Sequence, residues 1–182
     1  SGIPVVGDLL GVDFERLLLL NPTHVFVQQT QSPIHPHLME LSKQGVFTLQ
    51  TWKLDRLQDI QAIVKDLSIQ LNGEQSSVEL QIEAKSNLPS PVLIVTQGAP
   101  KSAGLCFGRE TYLNDIIELM GVQNAIEQTG WRTLSLEDIV KLQPKCILVV
   151  SDSIIQEESL KGIRSLGIQV IPFVHRNVLI PS

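Results

Sequence analysis

Asp13-Phe14-Glu15-Arg16-Leu17-Leu18-Leu19-Leu20-Asn21-Pro22-Thr23-His24-Val25-Phe26-Val27 returns 122 residues later as Ser135-Leu136-Glu137-Asp138-Ile139-Val140-Lys141-Leu142-Gln143-Pro144-Lys145-Cys146-Ile147-Leu148-Val149. Glu15 matches Glu137, Pro22 matches Pro144, and Gly45-Val46 matches Gly167-Ile168, with no gap over the 30 residues from Glu to Gly. Two copies this far apart do not build a solenoid, whose repeats stack as immediate neighbours. They point to two similar α/β lobes, and two facing lobes make a cleft.

Each copy reads helix, strand, loop, helix, strand. Asp13 and Ser135 are N-cap residues, and the acid two positions later suits the positive end of a helix. Each helix must stop ahead of its proline, because Pro22 and Pro144 disfavour helical geometry at the preceding residue. The apolar runs 25–27 and 147–150 then read as buried parallel strands. Polar loops follow at 28–36 and 151–156, and helices near 36–43 and 157–165 are stopped by Gly45 and Gly167 as left-handed caps. Strands near 46–49 and 168–174 close the copies. This alternation predicts parallel sheets with right-handed crossovers.

One more βα unit stands before the second copy: a strand at 92–96, a Gly/Ala/Ser loop at 97–108 and a helix at 109–120. The second lobe thus begins about 45 residues before Glu137, whereas 14 residues precede Glu15. By this internal alignment the first lobe is short of a strand and a helix. Between the lobes, Leu54, Leu57, Ile60, Ile63, Val64, Leu67 and Leu71 fall at helical spacing. Asn72-Gly73 breaks that pattern, residues 76–84 read as a second helix, and Pro89-Ser90-Pro91 forms a stiff entrance to the second lobe. The expected organisation is an N-terminal lobe at 1–53 (partial), a helical connector at 54–90 and a C-terminal lobe at 91–182.

Composition narrows the function classes. Hydrophobic residues make up 43% and charged residues 18% of the 182, which fits a packed globular chain. A net charge of −5 without any basic cluster argues against a nucleic-acid partner. No apolar run approaches the roughly 18 residues of a membrane helix, and no signal peptide or lipidation motif is read. Cys146 lies in an apolar run, where a small buried thiol is the ordinary reading. The even cysteine count leaves a Cys106–Cys146 disulfide open.

Ligands of open parallel sheets sit beyond the C-terminal ends of the strands. That rule selects residues 28–37, 97–112, 151–155 and 175–177, and with them Asp152 and His175. A large, flat, partly apolar ligand needs aromatic faces and a few fixed polar groups. Phe107, Tyr112 and Trp131 can supply the first, and Gln28, Gln29, Arg109 and Arg132 the second. Core packing is the competing role for Phe107 and Tyr112.

His35-Pro36-His37 places two imidazoles two residues apart, on one side of an extended segment. Even an open zinc site takes three protein ligands, and no acid or cysteine lies near before Glu40, so no protein metal site is assigned. His35 keeps an axial contact to a metal inside a bound cofactor as its ligand role, against a solvated loop as the leading reading. Gln97-Gly98-Ala99-Pro100-Lys101-Ser102-Ala103-Gly104 follows a strand and precedes a helix, but Pro100 stands where a phosphate loop requires Gly before Lys-Ser. No Gly-x-Ser-x-Gly elbow occurs, and no catalytic residue is assigned.

The pattern of N-cap, x, Glu, apolar, apolar, x, Leu, x, Pro and an apolar strand, once per lobe, resembles the helical-backbone substrate-binding proteins of ATP-driven (ABC) importers. The run from Gly108-Arg109-Glu110-Thr111 to Gly121-Val122-Gln123-Asn124-Ala125 is similar to that family's loop-helix ending in Gly-x-x-Asn. The resemblance covers about residues 5–182. It implies a protein that is not an enzyme, needs no cofactor, and captures a metal chelate (cobalamin or another corrinoid, haem, or a ferric siderophore) between its lobes. Trp131 and Arg132, just before the second repeat helix, stand where the family turns residues into the cleft. It further implies a monomer at the periplasm or cell surface, docking a membrane permease through Glu157 and Glu158. The first-lobe counterpart holds Ile34, His35 and His37, with Glu40 a turn late. Departures from the family are the short first lobe, the interrupted connector, and an end at Pro181-Ser182 where a further helix is usual. The alternatives are a phosphate-ligand α/β enzyme using Lys101 and a receptor-like domain serving protein interaction.

Overall fold

A computed structural model describes residues 4–7, 11–29, 33–73, 86–96 and 104–176. The chain divides into two compact units, Ser1–Lys53 and Leu54–Ser182.

The first unit holds α1 (Phe14–Leu19), β1 (His24–Gln28), α2 (Pro36–Lys43) and β2 (Thr48–Trp52). Asp13 caps α1, its carboxylate accepting the Arg16 N–H at 3.1 Å. β1 and β2 form a parallel pair. One face buries Leu17, Leu38, Leu41 and Phe47 with Val25, Val27 and Leu49 packed against them. Because side chains alternate along a strand, the other face carries His24, Phe26 and Trp52, whose rings stack at 6.1 and 4.9 Å.

The second unit holds α3 (Leu57–Asn72), β3 (Val92–Thr96), β4 (Leu105–Phe107), α4 (Tyr112–Leu119), β5 (Trp131–Thr133), α5 (Leu136–Leu142), β6 (Cys146–Ser151), α6 (Glu157–Arg164) and β7 (Gln169–Val174). Its sheet runs β5-β4-β3-β6-β7. Leu93, Val95, Ile147 and Val149 point to one face with Ile139 of α5 and Leu160 and Ile163 of α6. Val92, Ile94, Cys146 and Val150 point to the other with Tyr112, Leu113 and Ile117 of α4 and Leu57 and Ile60 of α3. This layering buries both faces of the sheet, as continuous apolar strands require.

The parallel pairing expected from the alternation is present, and the sheet as a whole is mixed. β3, β6 and β7 are parallel, but β4 runs antiparallel to β3 and β5 antiparallel to β4. The stretch read as a loop over 97–108 therefore ends in a strand. The sequence shows only Leu105-Cys106-Phe107 there, too short to register as a periodic pattern. Residues 97–103, including the phosphate-loop candidate and Lys101, and the helix expected at 76–84 lie outside the described residues.

Cys106 and Cys146 are both free and buried. Cys106 packs on the α5/α6 face and Cys146 on the α3/α4 face. Opposite sides of one sheet cannot be joined at disulfide distance, so the disulfide option is closed.

The repeat holds through most of each copy. α1 and α5 begin at matching positions (14 + 122 = 136), as do β1 and β6 (24 + 122 = 146). Leu38 and Leu41 correspond to Leu160 and Ile163, and all four are buried. Gly45 and Gly167 both cap their helices with positive φ, 76° and 70°. Beyond the glycine the copies part company. Val25 pairs with Leu49, but its counterpart Ile147 pairs with Val170, not with Ile171 at the repeat distance (49 + 122 = 171). The inward Leu49 stands four positions after Gly45, and the inward Val170 three positions after Gly167, so the closing strand is slipped by one.

No helix among the described residues is long and apolar enough to cross a membrane.

Candidate functional site

The strand registers sort the candidate residues of the second unit. Asp152 and His175 follow the C-terminal ends of β6 and β7, both exposed, with the His175 N–H donating to the Ser151 carbonyl at 3.0 Å. The His175 ring lies 6.5 Å from Phe173, near parallel. Leu105 pairs with Thr133 at the same end, where its N–H donates to Thr96 Oγ1 at 2.9 Å. β4 then runs back along the sheet. With Val95 opposite Cys106, Phe107 comes level with Ile94 and Arg109 level with Val92, at the N-terminal end of β3. Residues 97–112 therefore do not all sit at one end of the sheet, and Arg109 is separated from Asp152 and His175 by the length of a strand. The antiparallel turn of β4 is the physical reason.

Trp131 lies on the edge strand, paired with Phe107. Its ring packs on Phe107 at 4.7 Å and on Tyr112 at 6.3 Å, and Phe107 meets Tyr112 edge-on at 6.4 Å. Phe107 is 0% and Tyr112 4% exposed, whereas Trp131 is 36% exposed. Two buried rings thus form a rigid bed for a third that reaches solvent. Burial pushes the Tyr112 hydroxyl up to about 12 and the Cys106 thiol up to about 11. Arg132, next along β5, is exposed.

The bed itself is positioned by a polar network. Asn124 donates from Nδ2 to the Phe107 carbonyl at 2.9 Å and to Asn114 Oδ1 at 3.0 Å, while its Oδ1 accepts the Ile126 N–H at 2.9 Å. Thr111 caps α4 by accepting the Asn114 N–H and donates to the Gly108 carbonyl at 2.8 Å. Gly108 has no room for a side chain: a Cβ would lie 2.2 Å from the Gln128 carbonyl oxygen. Gly121, at φ 77°, ends the turn so that the Val122 N–H returns to the Ile117 carbonyl at 2.9 Å. The Gly-x-x-Asn spacing is thereby explained: glycine turns the chain and asparagine holds the strand before Trp131.

Gln28, the last residue of β1, and Gln29 just after it are exposed in the first unit; the Gln29 N–H donates to the Trp52 carbonyl at 2.7 Å. His35 is the N-cap of α2, its Nδ1 accepting the His37 N–H at 3.2 Å. Both imidazoles pack on Phe14, at 5.0 and 4.7 Å, and His37 Nδ1 lies 3.9 Å from Glu40. Among the described residues no group of three His, Cys, Asp or Glu side chains is placed to hold a metal ion.

Glu157 and Glu158 occupy the first turn of α6. Glu158 pairs with Lys161 at 2.6 Å, and Glu157 with Arg164. Both acids are already matched by bases of their own helix.

Sequence reasoning missed Arg56 and Asp115. Arg56 Nε lies 2.9 Å from both carboxylate oxygens of Asp115, its Nη2 2.6 Å from Oδ1, and the Leu57 N–H donates to Oδ2 at 3.0 Å. The hydrogen bonds to Asp115 raise the Arg56 pKa above its ordinary value. No local pattern announces a pair 59 residues apart.

Comparison with known proteins gives a consistent result. A family model described as periplasmic binding protein matches residues 2–166. Among curated proteins no sequence matches. A periplasmic haem-binding protein from Pseudomonas aeruginosa superposes with a TM-score of 0.61 at 19% identity, over 88% of this chain and 62% of that one. The haem-binding protein BhuT, in complex with two haems, gives 0.64 at 15% identity over 98% and 76%. The vitamin B12-binding protein BtuF of Vibrio cholerae gives 0.62 at 15% identity over 90% and 69%. The chain thus spans less than two thirds of the Pseudomonas protein's length.

Proposed function

Since this chain belongs to the periplasmic binding protein family, we propose that it is the substrate-binding component of an ABC importer and captures a metal chelate such as a corrinoid, haem or ferric siderophore. The observation that carries this is Trp131, an aromatic plate held at the surface by two buried rings. A flat, partly apolar ligand gains most from a rigid aromatic face, because little side-chain entropy is lost on binding. Arg132, Asp152 and His175 supply polar contacts on this unit, and Gln28, Gln29 and His35 on the other. Arg109 pairs with Thr129, two residues from Trp131, and stands apart from Asp152 and His175 at the strand ends. Binding needs no covalent step: ligand is held by shape and a few hydrogen bonds, at the periplasmic or cell-surface side, by a monomer. Glu157 and Glu158 dock the permease by exchanging Arg164 and Lys161 for its arginines.

Native mass spectrometry after incubation with cobalamin, haem and ferric siderophores, with absorption spectra of any complex, tests the reading. A one-to-one adduct weakened by Trp131→Ala supports it. A folded sample that takes up none of them overturns it.

A further inference from the structure

A hollow of about 330 Å³ lies beside the first turns of α3 and α4, lined by Arg56, Arg109, Glu110, Asn114, Glu118, Glu127 and Thr129. Its size falls at the small end of ligand pockets, about 300 to 1,000 Å³. None of the ligand contacts proposed above lines it.

Asn114 is the informative residue. It is 2% exposed, yet its amide is only half used. Asn124 cannot flip, because its Oδ1 accepts a backbone N–H and its Nδ2 donates to a backbone carbonyl. The atom of Asn114 that Asn124 touches must therefore be Oδ1. That leaves Asn114 Nδ2, in a side chain lining the hollow, without a partner among the described residues. Gln50 Oε1 is the one fully buried side-chain polar atom without a partner among the described residues, so Asn114 Nδ2 keeps access to the hollow, where an acceptor can take its N–H in place of solvent.

The charge around it is unbalanced. Arg56 is matched by Asp115. Arg109 then faces Glu110, Glu118 and Glu127, a net of +1 − 3 = −2, and none of these four side chains forms an ion pair among the described residues. A simple anion would meet three carboxylates. A plain diamine would satisfy the charge and offer Asn114 Nδ2 no acceptor. A neutral zwitterion would leave the net charge in place.

We propose that this hollow binds a basic α-amino acid, its carboxylate on Asn114 Nδ2 and Arg109 and its cationic groups against Glu110, Glu118 and Glu127. Thr129 adds a hydroxyl that can donate or accept.

Isothermal titration calorimetry of the folded chain, without any chelate, tests this with L-arginine, L-lysine, L-alanine and putrescine. Saturable one-to-one binding of L-arginine or L-lysine is expected, at least about tenfold tighter than either control, the scale of one hydrogen bond to a charged group. Glu118→Gln and Glu127→Gln, at exposed positions that leave the fold intact, each weaken it severalfold. Absence of saturable binding, equal binding of putrescine, or indifference to both variants overturns the proposal. Chelate uptake by the same sample reports on the other function separately.

Discussion

Asp115 holds Arg56 by both carboxylate oxygens and takes the Leu57 N–H as well, so one acid of α4 caps α3 and fixes the side chain before it. Its side chain is 11% exposed and that of Arg56 32%. Truncating Asp115 leaves a guanidinium and a helix N–H without their acceptor. Asp115→Ala is expected to destabilise the fold by about 2 kcal/mol, read as a lower urea midpoint with unchanged slope. Asp59→Ala, which removes only the acceptor of the Arg56 N–H, is expected to cost about half as much.

Gly108→Ala should be worse than any other glycine substitution in the second unit. The new methyl would meet the Gln128 carbonyl at 2.2 Å and the Gly130 carbonyl at 3.0 Å, both backbone. A loss of about 2 to 3 kcal/mol is expected, against about 1 kcal/mol for Gly121→Ala, where space is open and only the positive φ is strained. Thermal melts of the two variants side by side check the order.

Stability should fall in alkali. Cys106 and Tyr112 are neutral when protonated, and burial raises both pKa values in the folded state, to about 11 and about 12 from 9.0 and 10.0. Above pH 9 the unfolded chain sheds protons that the folded chain keeps, so stability drops as pH rises. The contribution of Cys106 is whole below pH 9 and gone above about 11; that of Tyr112 goes between 10 and about 12. Each amounts to roughly 2 to 3 kcal/mol. Urea midpoints at pH 8 and pH 10.5 should differ less in Cys106→Ala than in the parent.

Trp131→Ala removes the exposed ring and leaves its bed. A chelate that stacks there should bind about tenfold more weakly, the scale of an aromatic contact plus its buried area, while Trp131→Phe retains most of the affinity. The change in haem absorption on titration with protein measures both variants against the parent.

Glu157→Gln and Glu158→Gln should change stability by less than about 0.5 kcal/mol, since each breaks an exposed pair on one helix. If these acids dock a permease, the double variant should lose binding to permease-containing vesicles while chelate affinity stays unchanged. A cosedimentation assay with the parent alongside separates the two.

Much of this fold is readable because helix and strand periods are loud signals. The duplicated helix and strand, the caps at Asp13 and Ser135, and the glycine stops at 45 and 167 all rest on local chemistry, and they recur in the structure. β4 and β5 escaped because three residues cannot display a period, and their antiparallel return moved Arg109 away from where the strand rule put it. The sequence offers His35 as a loop residue or ligand and gives no sign that its ring also caps α2. The Asn114–Asn124 bridge is visible in the sequence only as a motif of spacing, since which amide atom faces which depends on two backbone partners, the Phe107 carbonyl and the Ile126 N–H.

The one-residue slip between the closing strands has a bearing on ancestry and engineering. A chimaera that transplanted 46–52 into the place of 168–174 by the repeat distance would set Phe47 and Leu49 where Gln169 and Ile171 now stand, turning its oily side from the α5/α6 face, where Val170 packs, to the α3/α4 face. The two halves are kin, yet they are no longer interchangeable cassettes. Any recombination between them must trim or add a residue after the glycine to survive.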